Sequence, residues 1–285
     1  MNNCEPLSFG STNVVPDSTI TSNRSVSSGS SLNHLKDEHV SRPAEWDGNS
    51  QVVITGSLGE TKRAEYFSLP DSNLGPSAQI KVELFASNNA SGPDLLNMPA
   101  IEVATLIPLG VWKAGVDPYG GTYASAVNPP VFTQFFDIVE FASYRLTIDA
   151  PYSTPQDSLG VALRMFLLGE RTTLTYNFEY GHKLKKLTAP ELIETASGNR
   201  VLRRSQRLQK TWTLPLRGIN DTDRVKLSVM EETLLGRPFI VSGYPDRATF
   251  EKDDYTFLAR FGEANEYSPI FEDIHSVDNL VLLGI

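Results

Sequence analysis

The residues able to support catalysis or metal binding are few and poorly spaced for either. The four histidines are His34, His39, His182 and His275. His34 and His39 flank Asp37 and Glu38, but the spacing matches no zinc-ligand pattern, and a solvated turn accounts for it. Asp253 and Asp254 are adjacent, so on a strand they face opposite ways and spacing alone does not pair them. No nucleophile elbow, phosphate loop, H-E-x-x-H or dinucleotide fingerprint occurs. The expectation is a protein that is not an enzyme, with no catalytic residue, no metal and no cofactor.

Two groups of residues suit binding better. Lys183, Lys185, Lys186, Arg200, Arg203, Arg204, Arg207 and Lys210 are concentrated against Glu191 and Glu194, in a chain of net charge −9 and pI near 5.0. The overall charge disfavours nucleic acid as the main partner, and no aromatic residue is interleaved between Leu184 and Gln209 to stack on bases. Two readings remain: an interface for an acidic surface on another subunit, where charge sets orientation, or a solvated loop. The second group is Trp46, Trp112, Tyr119 and Tyr123, near the loops of the first half. Aromatic faces of this kind serve glycan contact, or simply packing.

The elements that position these residues are mostly strands. The chain of 285 residues carries 40% apolar residues, enough for one large or two ordinary domains. Its one cysteine, Cys4, excludes a disulfide within the chain. The N-terminus lacks the basic start and apolar run of a signal peptide, and no stretch approaches the length of a membrane span. Residues 1–32 are rich in Ser, Asn and Thr and read as a flexible arm, either free or ordered against a neighbouring subunit through Val14, Val15 and Ile20.

From Leu35 to Leu168 the pattern is β. Strands are expected at Val52–Ile54, Ala64–Leu69, Ile80–Phe85, Phe132–Phe141, Tyr144–Ile148 and Leu159–Phe166, with a further apolar run over 100–109. Seven or so strands with turn signals between them indicate a jelly-roll sandwich. Gly115–Pro130 reads as a long loop. Gly169–Glu170 marks a boundary, and a smaller β-rich domain with one α-helix follows. Within it, Trp212, Leu214 and Leu216 alternate as a strand, and Pro215 marks an edge or the end of pairing. Asn220, Asp221 and Thr222 offer a helix cap. Val225, Leu227, Val229, Met230 and Leu234 form the apolar stripe of a helix over about 221–235, closed by Gly236.

The order of several short segments carries a resemblance. They are Asn33–Asp37, Ser41-Arg42 with Trp46, Ile54–Gly59, Ser72–Leu74, Ala78–Phe85, Ala142–Ile148, Arg164–Gly169, Asn177-Phe178 with Tyr180-Gly181, and Tyr244-Pro245. In this order and spacing, residues 33–285 resemble a family of tailed-bacteriophage virion proteins found near the tail tip, in the baseplate or distal tail. The resemblance implies a galactose-binding-like, discoidin-type jelly roll over 33–169 and an assembly domain over 170–285. It also implies a structural protein made in the bacterial cytoplasm and built into the virion. Its partners would be other tail proteins, copies of itself and, on the alternative reading, a host-surface glycan bound by a carbohydrate-binding module.

Overall fold

A computed structural model describes residues 6–37, 42–48, 51–74, 78–102, 131–149, 160–175, 177–178, 182–187, 190–194, 200–204, 209–234, 236–245, 255–262, 267–271 and 273–284. The chain divides into two units, residues 12–171 and residues 1–11 with 172–285. It begins with β1 (Ser8–Gly10). The 12–171 unit then contributes β2 (Thr19–Ser22), β3 (Ala44–Trp46), β4 (Val52–Pro70), β5 (Gln79–Phe85), β6 (Asp94–Asn97), β7 (Ile101–Glu102), β8 (Val131–Asp149), β9 (Val161–Leu163) and β10 (Leu167–Gly169). After β11 (Arg171–Thr173) come β12 (Lys183–Leu187), β13 (Pro190–Glu194), β14 (Arg200–Arg204), β15 (Gln209–Asn220) and α1 (Asp221–Thr233). The last are β16 (Phe239–Ser242), β17 (Thr256–Phe261), β18 (Tyr267–Phe271) and β19 (Ile274–Gly284). The protein is thus mostly β with one α-helix among the described residues.

In the 12–171 unit the sheet runs β10-β4-β8-β5-β6, with β2 on β4 and β7 on β5. Val52 and Ile54, Ile80, Val82 and Leu84, and Tyr144, Leu146 and Ile148 alternate inward from its three central strands into one core. The β3–β9 pair lies on the same core and adds Ala44, Trp46, Val161 and Leu163, making a two-layered β-sandwich. The segments expected as two strands, Val52–Ile54 and Ala64–Leu69, are one strand of 19 residues, and so are the two expected within β8. Gly59, at φ 75°, and the register shifts at Ser57/Lys62 and Ala64/Tyr66 bend the ladder without ending it. A bulge absorbs the turn signal that sequence reads as a break.

From Pro6 on, described residues of the expected 1–32 arm enter strands and cores. β1 pairs with β16, Ser8 opposite Ser242 and Gly10 opposite Ile240, and Leu7 and Phe9 are fully buried. Val14 and Val15 are buried in the core of the 12–171 unit, and Ile20 packs against it from β2. The polar composition misleads because the few apolar residues all fall where a sheet or core receives them.

The other unit is built on a sheet of order β11-β1-β16-β17-β19-β15-β12, with β18 on β19. Trp212, Leu214 and Leu216 point into its core as the alternation requires. Of the two expectations for Pro215, an edge or the end of pairing, the second describes its β12 side, because β15 lies between β12 and β19. The proline sits at a bulge in the β15–β19 ladder and past the last β12 partner, Thr213, where no bond needs its missing N–H. The Asn220 carboxamide caps α1 by accepting from Asp223 N at 2.7 Å. Asp223 is itself fully buried, and its carboxylate accepts from Thr175 N at 2.8 Å and Thr175 Oγ1 at 3.1 Å. Leu227, Met230 and Leu234 meet the core, whereas Val225 and Val229 are about half exposed. The expected stripe is therefore too wide, and only its Leu227–Leu234 side is used. Among the described residues no helix is long and apolar enough to cross a membrane.

Candidate functional site

The side of the β4–β8–β5 sheet opposite the sandwich core is polar across five strands. Thr21 on β2 pairs with Thr55 on β4, Thr55 with Arg145 on β8, Arg145 with Glu83 on β5, and Glu83 with Asn97 on β6. Directly paired residues share a face, so these five side chains form one row. A second row runs beside it through Val53, Thr147 and Lys81. Sequence places each residue on the outward side of its own strand, since Val82, Leu84 and Leu146 alternate inward. Only the register aligns them.

The charged members hold one another. Lys81 Nζ donates to Glu83 Oε1 at 2.8 Å, and Arg145 Nη1 lies 3.6 Å from Glu83 Oε2. Arg145 Nη2 donates to Ala90 O at 2.6 Å, and its guanidinium stands 5.0 Å over the Phe85 ring. The 86–92 loop is fastened at this end of the face. Ala90, with φ 49°, donates its N–H to Ser143 Oγ at 2.9 Å, and that hydroxyl donates to Ser87 O. Glu83 is 12% exposed, against about a third for Lys81 and Arg145. The carboxylate is thus largely covered between two cations that are each about a third exposed. Such a network is rigid before any ligand arrives, which cuts the ordering cost of binding. It offers carboxylate and hydroxyl acceptors beside guanidinium, ammonium and amide donors. That set suits a ligand rich in hydroxyl groups.

No family model matches the sequence, and no curated protein matches it. The fold has similar solved structures. Chitosan-binding module 1 from a chitosanase/glucanase of Paenibacillus sp. IK-5 aligns over 55% of this chain and 98% of its own, with 11% identity and a TM-score of 0.38. The lectin domain of lectinolysin, complexed with Lewis B antigen, aligns over 56% and 96%, with 9% identity and a TM-score of 0.37. CpGH89CBM32-6, produced by Clostridium perfringens, aligns over 55% and 98%, with 10% identity and a TM-score of 0.34.

The residues singled out from sequence scatter. Trp46 is fully buried on β3, its Nε1 donating to Ser22 Oγ at 3.2 Å, and offers no face to a glycan. Trp112, Tyr119 and Tyr123 lie outside the described residues, as do Arg207, His39, Asp253 and Asp254. Lys183 and Lys185 are exposed on β12, an edge strand of its sheet. Exposed lysines on an edge discourage strand addition. Lys210 is buried instead, its ammonium 5.4 Å from the Phe257 ring centroid, and takes no part in a basic surface. Lys186 lies opposite Lys210, Arg200 opposite Glu194, and Arg203 opposite Glu191 in the β13–β14 pair, where Arg204 faces Pro190. Among the described residues no group of His, Cys, Asp or Glu could hold a metal ion. Lys81, Glu83 and Arg145 went unnoticed in the sequence because each is an ordinary outward strand residue. The one available signal was the charge alternation Lys81, Glu83 within an apolar strand.

Proposed function

We propose that the 12–171 unit is a binding module that takes a glycan on the polar sheet face and performs no chemistry on it. One observation carries this reading: the row from Thr21 through Thr55, Arg145 and Glu83 to Asn97, with its charged centre already held by hydrogen bonds. A sugar presents neighbouring hydroxyls that both donate and accept, and a fixed carboxylate–guanidinium pair answers both. Glu83 serves as an acceptor here, engaged by two cations. The placement in a phage virion, and assembly there with other tail proteins, rests on the resemblance of residues 33–285 alone. In that setting the glycan would belong to the host surface.

A glycan array probed with the whole protein tests the reading, followed by titration of any hit against Arg145→Ala and Glu83→Gln. Each substitution removes charge-assisted hydrogen bonds and should weaken binding about 10- to 100-fold. An array with no hit, or variants that bind as the parent does, would overturn the assignment.

A further inference from the structure

In the unit formed by residues 1–11 and 172–285, five rings meet at one end of the large sheet. His182 leads into β12, and Trp212 sits on β15 opposite Leu184. Tyr244 follows β16 and Tyr255 precedes β17, joined by Gly243 N donating to Tyr255 O at 3.1 Å. Phe178 completes the group. Its ring lies 4.6 Å from His182, 5.0 Å from Trp212 and 5.8 Å from Tyr244, each time nearly perpendicular. Tyr255 lies 5.5 Å from His182 and 5.3 Å from Trp212.

This cluster contains both of the buried side-chain polar atoms that lack a hydrogen-bond partner among the described residues: Trp212 Nε1 and His182 Nδ1. Buried polar groups are satisfied in the great majority of cases, and each exception needs a cause. Two exceptions in one cluster of aromatic rings point to a bound molecule, a water or a ligand hydroxyl, that supplies the missing partner. Trp212 Nε1–H can only donate. His182 Nε2 faces Tyr255 Oη at 3.3 Å, so Nδ1 donates or accepts according to which of those two atoms carries the shared proton. A hydroxyl accepts from the indole and pairs with the imidazole in either tautomer. A carbonyl or an amine does not.

We propose that this cluster is a second binding site, specific for a hydroxylated ring compound of the pyranose class. One of the ligand's hydroxyls accepts from Trp212 Nε1–H and pairs with His182 Nδ1, while its C–H surface packs on the aromatic rings. Phe178 is half-buried and stands edge-on against both Trp212 and His182, so the proposed ligand must displace its ring. Gly243 keeps the backbone against the indole, since a Cβ there would fall 2.6 Å from it. The site is independent of the sheet face proposed above.

The test uses 15N-labelled whole protein and methyl pyranosides of glucose, galactose, mannose and N-acetylglucosamine. Their concentration is raised to about 50 mM, enough to reveal weak millimolar binding. The Trp212 indole N–H resonance, assigned by its loss in Trp212→Phe, should shift and saturate with at least one glycoside. Trp212→Phe keeps a ring but removes the donor, and should bind that glycoside about tenfold more weakly by calorimetry. No shift with any of the four glycosides would overturn the proposal. So would an indole N–H held by a bound water that no glycoside displaces, or a Trp212→Phe protein with undiminished affinity. Because the resonance reports on Trp212 alone, failure here leaves the sheet-face reading standing.

Discussion

Each unit seats a large aromatic ring on a glycine, and the two rings differ in how their polar edges are served. In the 12–171 unit Tyr144 lies over Gly56, where a Cβ would come within 2.1 Å of the ring. In the other unit Trp212 lies over Gly243, with the corresponding distance 2.6 Å. Both rings are fully buried. Tyr144 Oη meets Ser18 Oγ at 2.9 Å, and that hydroxyl in turn donates to Val15 O at 2.7 Å. Trp212 Nε1–H has no hydrogen-bond partner among the described residues. The first ring is a finished piece of core that ties the early residues to β8. The second keeps a donor that no described residue answers. Similar packing therefore comes with a satisfied polar edge in one unit and an unpartnered one in the other.

The largest effect that would separate ring packing from polar-edge chemistry is truncation. Tyr144→Ala and Trp212→Ala should each cost about 3–5 kcal/mol, read from denaturant midpoints, since both remove a whole buried ring. A loss under about 1 kcal/mol at either position would mean the ring is not packed as described. Adding a methyl group beneath each ring comes next. Gly56→Ala and Gly243→Ala should destabilise by about 1–3 kcal/mol, with Gly56→Ala the worse because its contact is closer. The reverse order would show that the indole is held more rigidly than the phenol.

Removing only the polar edge sharpens the contrast further. Tyr144→Phe should cost about 0.5–1.5 kcal/mol, the worth of a buried hydrogen bond. The phenols also predict a pH effect. Burial pushes Tyr144 and Tyr66 well above the ordinary tyrosine range, although the Ser18 hydrogen bond acts in the opposite sense on Tyr144. With the folded pKa raised, the neutral phenols' contribution is complete below the unfolded pKa of about 10 and falls away as pH rises beyond it. A denaturation series should show stability declining above that pH, and less steeply in the Tyr66→Phe, Tyr144→Phe double variant. A parallel decline in the variant would assign the effect to other groups.

The smallest expected effect lies on α1. Val229→Ser should change stability by no more than about 0.5 kcal/mol because the side chain is exposed, whereas Leu227→Ala should cost about 2–5 kcal/mol. Comparable losses would restore the wider apolar stripe read from the sequence.

Much of the local structure was legible in the residues themselves. Alternation in Ile80–Phe85 and Trp212–Leu216 marked strands, because a strand with one buried face must repeat every second residue. Asn220 and Gly236 bracketed the helix, because its ends need a side-chain acceptor and a residue at ease in the left-handed region. Gly236 indeed has φ 74°. The candidate sites were far less legible. Trp46 and Lys210 have the residue types of surface contacts, yet both are buried, and nothing in their neighbours announces it.

Sequence by itself determined a β-rich chain, its turn chemistry, its capped helix and the lack of recognised catalytic motifs. Tertiary structure alone decided that residues 8–10 join a sheet completed more than two hundred residues later, and which side of α1 faces a core. It also decided that Arg145 stands beside Glu83 while the Trp212 donor finds no partner among the described residues. The reason is register. A period-2 pattern says which side of its own strand a residue occupies, but a neighbour is chosen by how far one strand slides along the next. That displacement is settled by bulges, loop closures and core packing distributed over the whole chain.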